Sequence, residues 1–507
     1  MRLKIFPAIV VIALLSCRTQ APSGDDGRIE LTLVQVNDVY EIAPLEAGNS
    51  GGMARVAALK KREQQKNPNT LLVMAGDFLS PSVYGSLRYE GKRIRGRQMV
   101  DAMNAAGFDL VCFGNHEFDI TEAELQERIE ESGFTWISAN AFHKTGDSIH
   151  PFENKRTRTA FPRYVFRNFT DADGTRARIG LISVVLPSNP AEYVQYADPV
   201  KTFIETYTQV KDSCDAIVAL THLAVADDRR LAEAIPELAI ILGGHEHDMR
   251  FVKENGVFIT KAHANAKSAF VVQLTLDTRK HRVSASPSLV YLDRSIPEDS
   301  LSNLTVQKWV KVAADNYASA GFSPDAIVPF PGDSLEGREL YTRHGATNLT
   351  DLVARAMLFA APAAEASVFN TGSIRVDDIL YKPISQYDIL RTLPFGGGLR
   401  ELELKGSLLK NVLDAGYANR GSGGWLQYGN IRRSGESWLV KEQPLDTGRS
   451  YRIVVPDFLV TGKETNLGFF NESNPGITTI SPVQTDTSSL MSDIRLAIIR
   501  YLEVKRS

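Results

Sequence analysis

The sequence predicts an α/β protein in two parts, a layered strand–helix domain followed by a second domain of mixed elements. Three observations carry that prediction: the chain length, an alternation of apolar runs with amphipathic stretches from Ile29 onward, and a change of pattern near Asp293. At 507 residues the chain exceeds what one ordinary hydrophobic core organises. Hydrophobic residues make up 43% and charged residues 23%, the balance of a soluble globular chain.

Short, continuously apolar, β-rich runs occupy 31–36, 71–74, 110–113, 179–185, 216–220 and 238–242, and helical patterns such as 54–65, 98–106 and 122–132 lie between them. Strands apolar along their whole length are covered on both faces, and their alternation with helices points to a layered α/β sheet. Polar residues follow each run at once: Asn37-Asp38, Gly76-Asp77, Gly114-Asn115-His116, Thr221-His222 and Gly243-Gly244-His245. Side chains at the carboxyl ends of such strands converge on one crevice, where α/β proteins hold their ligands. Near Asp293 the pattern changes, and Pro297 and Ser300 introduce a helical run over 306–318 that reads as a connector. The predicted division is a leader and tether at 1–27, a first domain at 28–295, a helical linker at 296–322 and a second domain at 323–507.

Asp38, Asp77, Asn115, His222, His245 and His247 sit at those strand ends. Carboxylates, an amide oxygen and neutral imidazoles suit divalent ions, with Zn or Mn expected. One carboxylate shared by two ions holds them ~3.5–4 Å apart, the spacing of two-metal hydrolases. Singly, each residue has a plainer explanation, as a turn former or a structural histidine.

The ordered series Asn37-Asp38, Gly76-Asp77, Gly114-Asn115-His116-Glu117-Phe118-Asp119, Thr221-His222 and Gly244-His245-Glu246-His247 resembles the calcineurin-like metallophosphoesterases. With Gly51-Gly52-Met53-Ala54-Arg55 and Met103-Asn104-Ala105 it is similar to their exported 5′-nucleotidase branch over about 30–480. The resemblance implies a four-layer β-sandwich flanked by helices, plus an α+β nucleotide-specificity domain that rotates on the first. It implies Asp77 as the carboxylate bridging two ions, Asp38 and His247 on one ion, and Asn115, His222 and His245 on the other. His116 resembles the catalytic histidine, with Asp119 fixing its tautomer; a helix N-cap is the alternative role for Asp119. The family's Asp-x-His reads Asp38-Val39-Tyr40 here, which implies a weaker site, a different metal, or a phenol used as a hydrogen-bond donor.

In the second domain, Asn370-Thr371-Gly372-Ser373-Ile374-Arg375 resembles the segment that grips the nucleotide, and Arg343 falls where another substrate arginine is expected. Arginine forks suit phosphate oxygens. Gly423-Gly424-Trp425 resembles the base-stacking segment, with Phe469 its expected partner and Phe470 the competitor for that place. Core packing is the other reading of both aromatics.

Arg2 and Lys4 precede an apolar run over 5–15, too short to span a bilayer, which needs about 20 such residues. Leu14-Leu15-Ser16-Cys17 resembles a bacterial lipobox with Cys17 the lipidated residue; a cleaved signal with a soluble product is the alternative. Cys112 and Cys214 are too few for a disulfide framework. A net charge of −3, with no basic patch interleaved with aromatics, speaks against nucleic acid as a partner. The expectation is an exported, lipid-anchored hydrolase of nucleotide phosphate esters in the cell envelope, its oligomeric state unread. The rivals are a cyclic-nucleotide phosphodiesterase, a UDP-sugar or dinucleotide pyrophosphatase, and a surface binding lipoprotein whose metal site has decayed at Tyr40.

Overall fold

The computed structural model describes residues 25–188 and 191–505. The leader and Cys17 lie outside the described residues. Two six-stranded sheets form the centre of the first domain. One runs Arg282–Tyr291, Ser268–Asp277, Arg28–Val36, Thr70–Ala75, Leu110–Cys112, Thr135–Ile137; the other Tyr164–Thr170, Arg176–Val185, Ala216–His222, Ile240–Gly243, Val257–Lys261, Arg250–Glu254. Pairing is parallel from Arg28–Val36 to Thr135–Ile137 and from Arg176–Val185 to Val257–Lys261, with antiparallel strands at the margins.

Parallel strands are buried on both faces, which explains the continuous apolar runs. Ile29, Leu31 and Leu33 pack between the sheets against Val218, Leu220 and Leu242. Val34 and Val36 belong instead to the outer layer with Val56, Leu59 and Met99 of the helices Met53–Lys66 and Arg97–Ala106. The far sheet is covered by Pro199–Val210 and Val225–Ala234 through Phe203 and Leu231. The order is therefore helix, sheet, sheet, helix, the four-layer sandwich expected.

The helix Ser300–Ser319 is capped by Asp299, whose carboxylate accepts from the Ser302 N–H at 2.9 Å. It lies on the first domain: Trp309 Nε1 donates to Asp101 at 3.0 Å and Tyr317 OH to the Val83 carbonyl at 2.9 Å. Its buried face (Val306, Trp309, Ala313, Tyr317) continues through Phe322 and Val328 into the second domain at Leu349 and Val353, so one apolar layer spans the junction. The second domain is a five-stranded sheet, ordered Leu426–Gly429, Ala366–Asn370, Ser450–Pro456, Leu399–Lys405, Ile477–Ile480. Asn348–Ala360 and Ile494–Lys505 share that continuous layer, and Gly406–Ala418 packs into a separate core with Leu402, Leu404 and Ile453. Cys112 is buried and Cys214 half-buried, both free thiols. Among the described residues no helix is long and apolar enough to cross a membrane.

Because Trp309 is fully buried at the junction, Trp309→Ala removes a large side chain from a layer that serves both domains. It is expected to cost about 3–5 kcal/mol, read as a lower midpoint of the first urea transition. A midpoint within error of wild type would show that the helix is not held by this packing.

Candidate metal centre

Strand register brings the ligand loops together. Val36 pairs with Met74 and Ala75 with Cys112, so the residues just beyond those strands are neighbours. Asp38 N–H donates to the Gly76 carbonyl at 3.0 Å, and Gly244 N–H to the Thr221 carbonyl at 3.0 Å. Asp38, Asp77 and His245 adopt positive φ of 53°, 56° and 85°, a region costly for residues with a Cβ and concentrated at functional sites. Gly114 leaves no room for a side chain: a Cβ there would lie 2.1 Å from Asp77 Oδ1.

Glu117 organises two of these loops. Its buried carboxylate accepts backbone N–H groups from Asp77 (2.9 Å), Phe78 (2.7 Å), Leu79 (3.0 Å) and Gly114 (2.6 Å). Burial and the charge of Asp77 push its carboxyl up to about 7 even so.

The expected ligands converge. Asp38, Asp77 and His222 place donor atoms within 4.8 Å of one another, all buried. His222 Nε2 lies 3.2 Å from Asp77 Oδ2 and 3.9 Å from Asp38 Oδ1, and His247 Nε2 lies 3.6 Å from Asp38 Oδ1. His245 donates its N–H to Asp38 Oδ2 at 3.0 Å, and its ring centroid is 5.5 Å from that of His222. Asn115 is buried beside them, and the next N–H, of His116, donates to Asp77 Oδ1 at 2.8 Å.

The donor set fits divalent ions on a direct observation. Among the described residues Asp38 Oδ1 and Asn115 Oδ1 are buried without a hydrogen-bond partner, and His222 Nε2 meets only the carboxylates of Asp77 and Asp38. Buried polar atoms are satisfied in most native proteins, and two buried carboxylates with an imidazole within 4.8 Å of one another, one carboxylate oxygen unpartnered, suit a cation. His222 faces its Nδ1 to the Ala75 carbonyl at 2.8 Å, which directs Nε2 at the carboxylates.

Protonation follows the same logic. Burial lowers the His222 imidazole, but Asp77 and Asp38 outweigh it and raise it to about 9. Burial likewise opposes, and Asp377 and Asp38 overcome, in raising His247 to about 10. His245 falls to about 4 through burial and the nearby charge of His222. Burial raises Asp38, whereas Asp77 is held below the usual carboxylate range because the charges of His222 and His116 outweigh burial.

Tyr40 stands in the cluster as a hydrogen-bonding phenol, 3.2 Å from Asp77 Oδ2 and 3.0 Å from His247 Nε2. Burial keeps that phenol well above its ordinary value, so it stays neutral. His116 Nδ1 lies 2.7 Å from Asp119 Oδ2, and Arg375 of the second domain reaches His116 Nε2 at 3.0 Å. Asp119 is not the cap of the following helix; Thr121 is, with Glu124 completing a capping box, because Asp119 is turned toward His116 and Ser80.

The other substrate-side residues lie further out. Arg343 pairs with Glu339, which is 3.9 Å from Arg375. Asn370 turns to Glu464 at 2.7 Å. Trp425 is only 7% exposed, packed by Tyr417 and Arg420, and its carbonyl accepts the Thr371 N–H at 2.8 Å. Phe469 is 38% exposed while Phe470 is in the core, which decides between those two positions as a surface-available ring.

Two functional neighbours escaped sequence reasoning. Lys261, fully buried, donates to the Leu223 carbonyl at 2.6 Å, the Gly244 carbonyl at 2.8 Å and Asp228 at 2.8 Å, and also contacts Glu246. It thereby ties the His222 loop to the His245–His247 loop, and its only signal was a lysine ending the apolar strand Val257–Lys261. Asp377 lies 2.5 Å from His247 Nδ1; it follows Arg375 by two residues, and nothing in its spacing marks it.

A four-layer sandwich with carboxylates, an amide and histidines at its strand ends defines a hydrolase of the metallophosphoesterase class. Residues 31–249 match the calcineurin-like phosphoesterase family and residues 331–471 the 5′-nucleotidase C-terminal domain. Bovine 5′-nucleotidase is 24% identical over 498 residues, covering 85% of this chain and 83% of that protein. Among solved structures, a 5′-nucleotidase precursor from Thermus thermophilus superposes with TM-score 0.70 at 23% identity, covering 94% and 97% of the two chains. The sulfate thiohydrolase SoxB from the same genus gives 0.65 at 18%, covering 96% and 95%. The chain belongs to the 5′-nucleotidase family of calcineurin-like phosphoesterases, enzymes that use a dimetal centre.

Since His222 and His247 titrate near 9 and 10 without metal, both rings carry protons at pH 7.5. Mn2+ uptake must displace them, so calorimetry in two buffers should show release of about two protons and an affinity that rises with pH. The same raised values stabilise the metal-free fold below the ordinary 6.5, and that contribution fades as pH climbs through 9 to 10. Uptake without proton release would show that the rings were already neutral.

Proposed function

We propose that the protein hydrolyses the phosphate ester of nucleoside monophosphates, with two divalent ions, Zn2+ or Mn2+, held by Asp38, Asp77, Asn115, His222, His245 and His247. The observation that carries this reading is the buried Asp38–Asp77–His222 cluster, with Asp77 accepting the N–H of His116, whose ring meets Arg375 of the second domain. When bound, two such ions supply charge neutralisation and a water of lowered pKa. Asp77, reached by His222 Nε2 at 3.2 Å and by the His116 N–H at 2.8 Å, would be the carboxylate shared by two ions. Arg375 offers a guanidinium fork to substrate oxygens. His116, aligned by Asp119, would stabilise the transferring phosphoryl group or its leaving oxygen, its Nε2 freed as the Arg375 guanidinium turns to the substrate. Arg343 and Asn370 belong to the substrate-side set of the second domain in this reading, and the exposed ring of Phe469 supplies aromatic surface for the base, where stacking contributes about 1–3 kcal/mol. Export through 1–17 and lipidation of Cys17 belong to the same proposal on the strength of the sequence.

A second reading, hydrolysis of diesters or phosphoanhydrides, is favoured by one observation. A cavity of about 380 Å³ opens beside Tyr40, His245 and His247, lined by both basic (Arg250, Lys267, Arg338) and acidic (Asp248, Asp378) side chains, and gives room for a group beyond a monoester. The decayed-site reading is disfavoured because Asp38, Asp77 and His222 still hold donor atoms within 4.8 Å of one another beside Tyr40.

The test is phosphate release by the purified protein with Mn2+ from a panel of nucleoside monophosphates, with a cyclic nucleotide and a UDP-sugar beside them. Monophosphates are expected to turn over fastest, and His116→Ala to lower kcat by about 10²–10⁴ while both ions remain bound. Turnover unchanged in that variant would defeat the assignment of His116; a preference for the diester or anhydride would favour the second reading.

A further inference from the structure

The segment after Arg375 reaches across the domain boundary three times in four residues. Arg375 meets His116 at 3.0 Å, Asp377 meets His247 Nδ1 at 2.5 Å, and Asp378 pairs with Lys267. Only the middle contact falls on an expected metal ligand. Asp377 is well placed to hold it. Its backbone has φ 37°, strained for a residue with a Cβ, and its second oxygen accepts the Glu339 N–H at 2.6 Å, which fixes the carboxylate within its own domain. With Nδ1 taken by Asp377, His247 has only Nε2 to direct inward, and that atom faces Asp38 at 3.6 Å and the Tyr40 hydroxyl at 3.0 Å.

A histidine ligand is usually oriented and made more basic by a carboxylate, carbonyl or water on its far nitrogen. Here the partner belongs to the other domain. We infer that Asp377 is a positioning residue for the ion held by Asp38 and His247, so that metal affinity at this one site and closure of the second domain onto the first are coupled. The inference rests on the dimetal reading above. Coupling of this kind is reciprocal: if closure tightens the metal, the metal favours closure by the same factor. The site is also where it would count most. Tyr40 is a neutral phenol in the place of a ligand, so the ion there depends on fewer protein donors, and the orientation of His247 weighs more. The other set, Asn115, His222 and His245, receives no such contact from the second domain among the described residues; His222 is oriented from within its own domain by the Ala75 carbonyl.

The test titrates the full-length protein with Mn2+, following bound ion by equilibrium dialysis and domain separation by small-angle scattering. Wild type is expected to take up two Mn2+ and to contract as the weaker site fills. Asp377→Ala should lose about 10–100-fold in affinity at one site, leave the other unchanged, and no longer contract at the Mn2+ concentration that closes wild type. Asp377→Asn, which keeps the volume and an acceptor oxygen, should lose less in the same direction and guards against a folding defect. Two Mn2+ bound by Asp377→Ala with wild-type affinities would overturn the coupling alone, as would a wild type whose dimensions ignore Mn2+. A wild type that binds fewer than two Mn2+ would overturn the dimetal reading and the coupling with it.

Discussion

Burying Asp38 and Asp77 side by side is unfavourable unless positive charge sits among them, and much of the first domain is arranged around that requirement. The histidines of three loops supply part of the answer: His222 holds its proton far more tightly than a free imidazole because of Asp77 and Asp38, and His247 does so chiefly through Asp377, with Asp38 adding to it. Divalent ions answer it more fully. The scaffold does not relax to avoid the conflict: three ligand residues stay at positive φ, and Glu117 adds a third buried carboxylate that clamps the loop after Thr70–Ala75 to the loop after Leu110–Cys112. Strain and like charge retained together in one crevice are what a site built for cations has to tolerate.

The same requirement explains what surrounds the crevice. Lys261 is buried on the far side of the histidine loops, compensating Asp228 and Glu246 while its ammonium holds two backbone carbonyls. Removing either side of such a network strands the other as an uncompensated buried charge, which ties the two loops to each other. The second domain brings both an arginine and carboxylates to this edge. Its contribution is thus electrostatic as well as steric: Arg375 adds cationic reach toward a phosphate, and Asp377 adds a fixed acceptor behind His247.

Much of this was legible in the sequence because parallel strands end at a common edge. Asp38, Asp77, Asn115, His222, His245 and His247 each follow an apolar run, so the topology that buries the runs also gathers the ligands. Glycines before several of them marked close approach of backbone, as at Gly114. What stayed hidden depends on which distant segments face one another. Asp377 touches His247 only because two domains meet, Lys261 owes its role to partners near 223, 228 and 244–246, and Thr121 rather than Asp119 caps its helix because His116 claims the aspartate. Trp425 looked like an open stacking ring, and its burial against Tyr417 follows from the packing of Gly406–Ala418, which composition around the tryptophan does not reveal. Tyr40 was legible as a departure, but that its hydroxyl would reach both Asp77 and His247 was not.

The claim on which all of this stands is that Asp77 lies between two cations. Anomalous diffraction from crystals soaked in Mn2+ addresses it directly. The account predicts two peaks about 3.5–4 Å apart, with the Asp77 carboxylate between them, one flanked by Asp38 and His247 and the other by Asn115, His222 and His245. A single peak, or a pair of peaks that Asp77 does not touch, would contradict it.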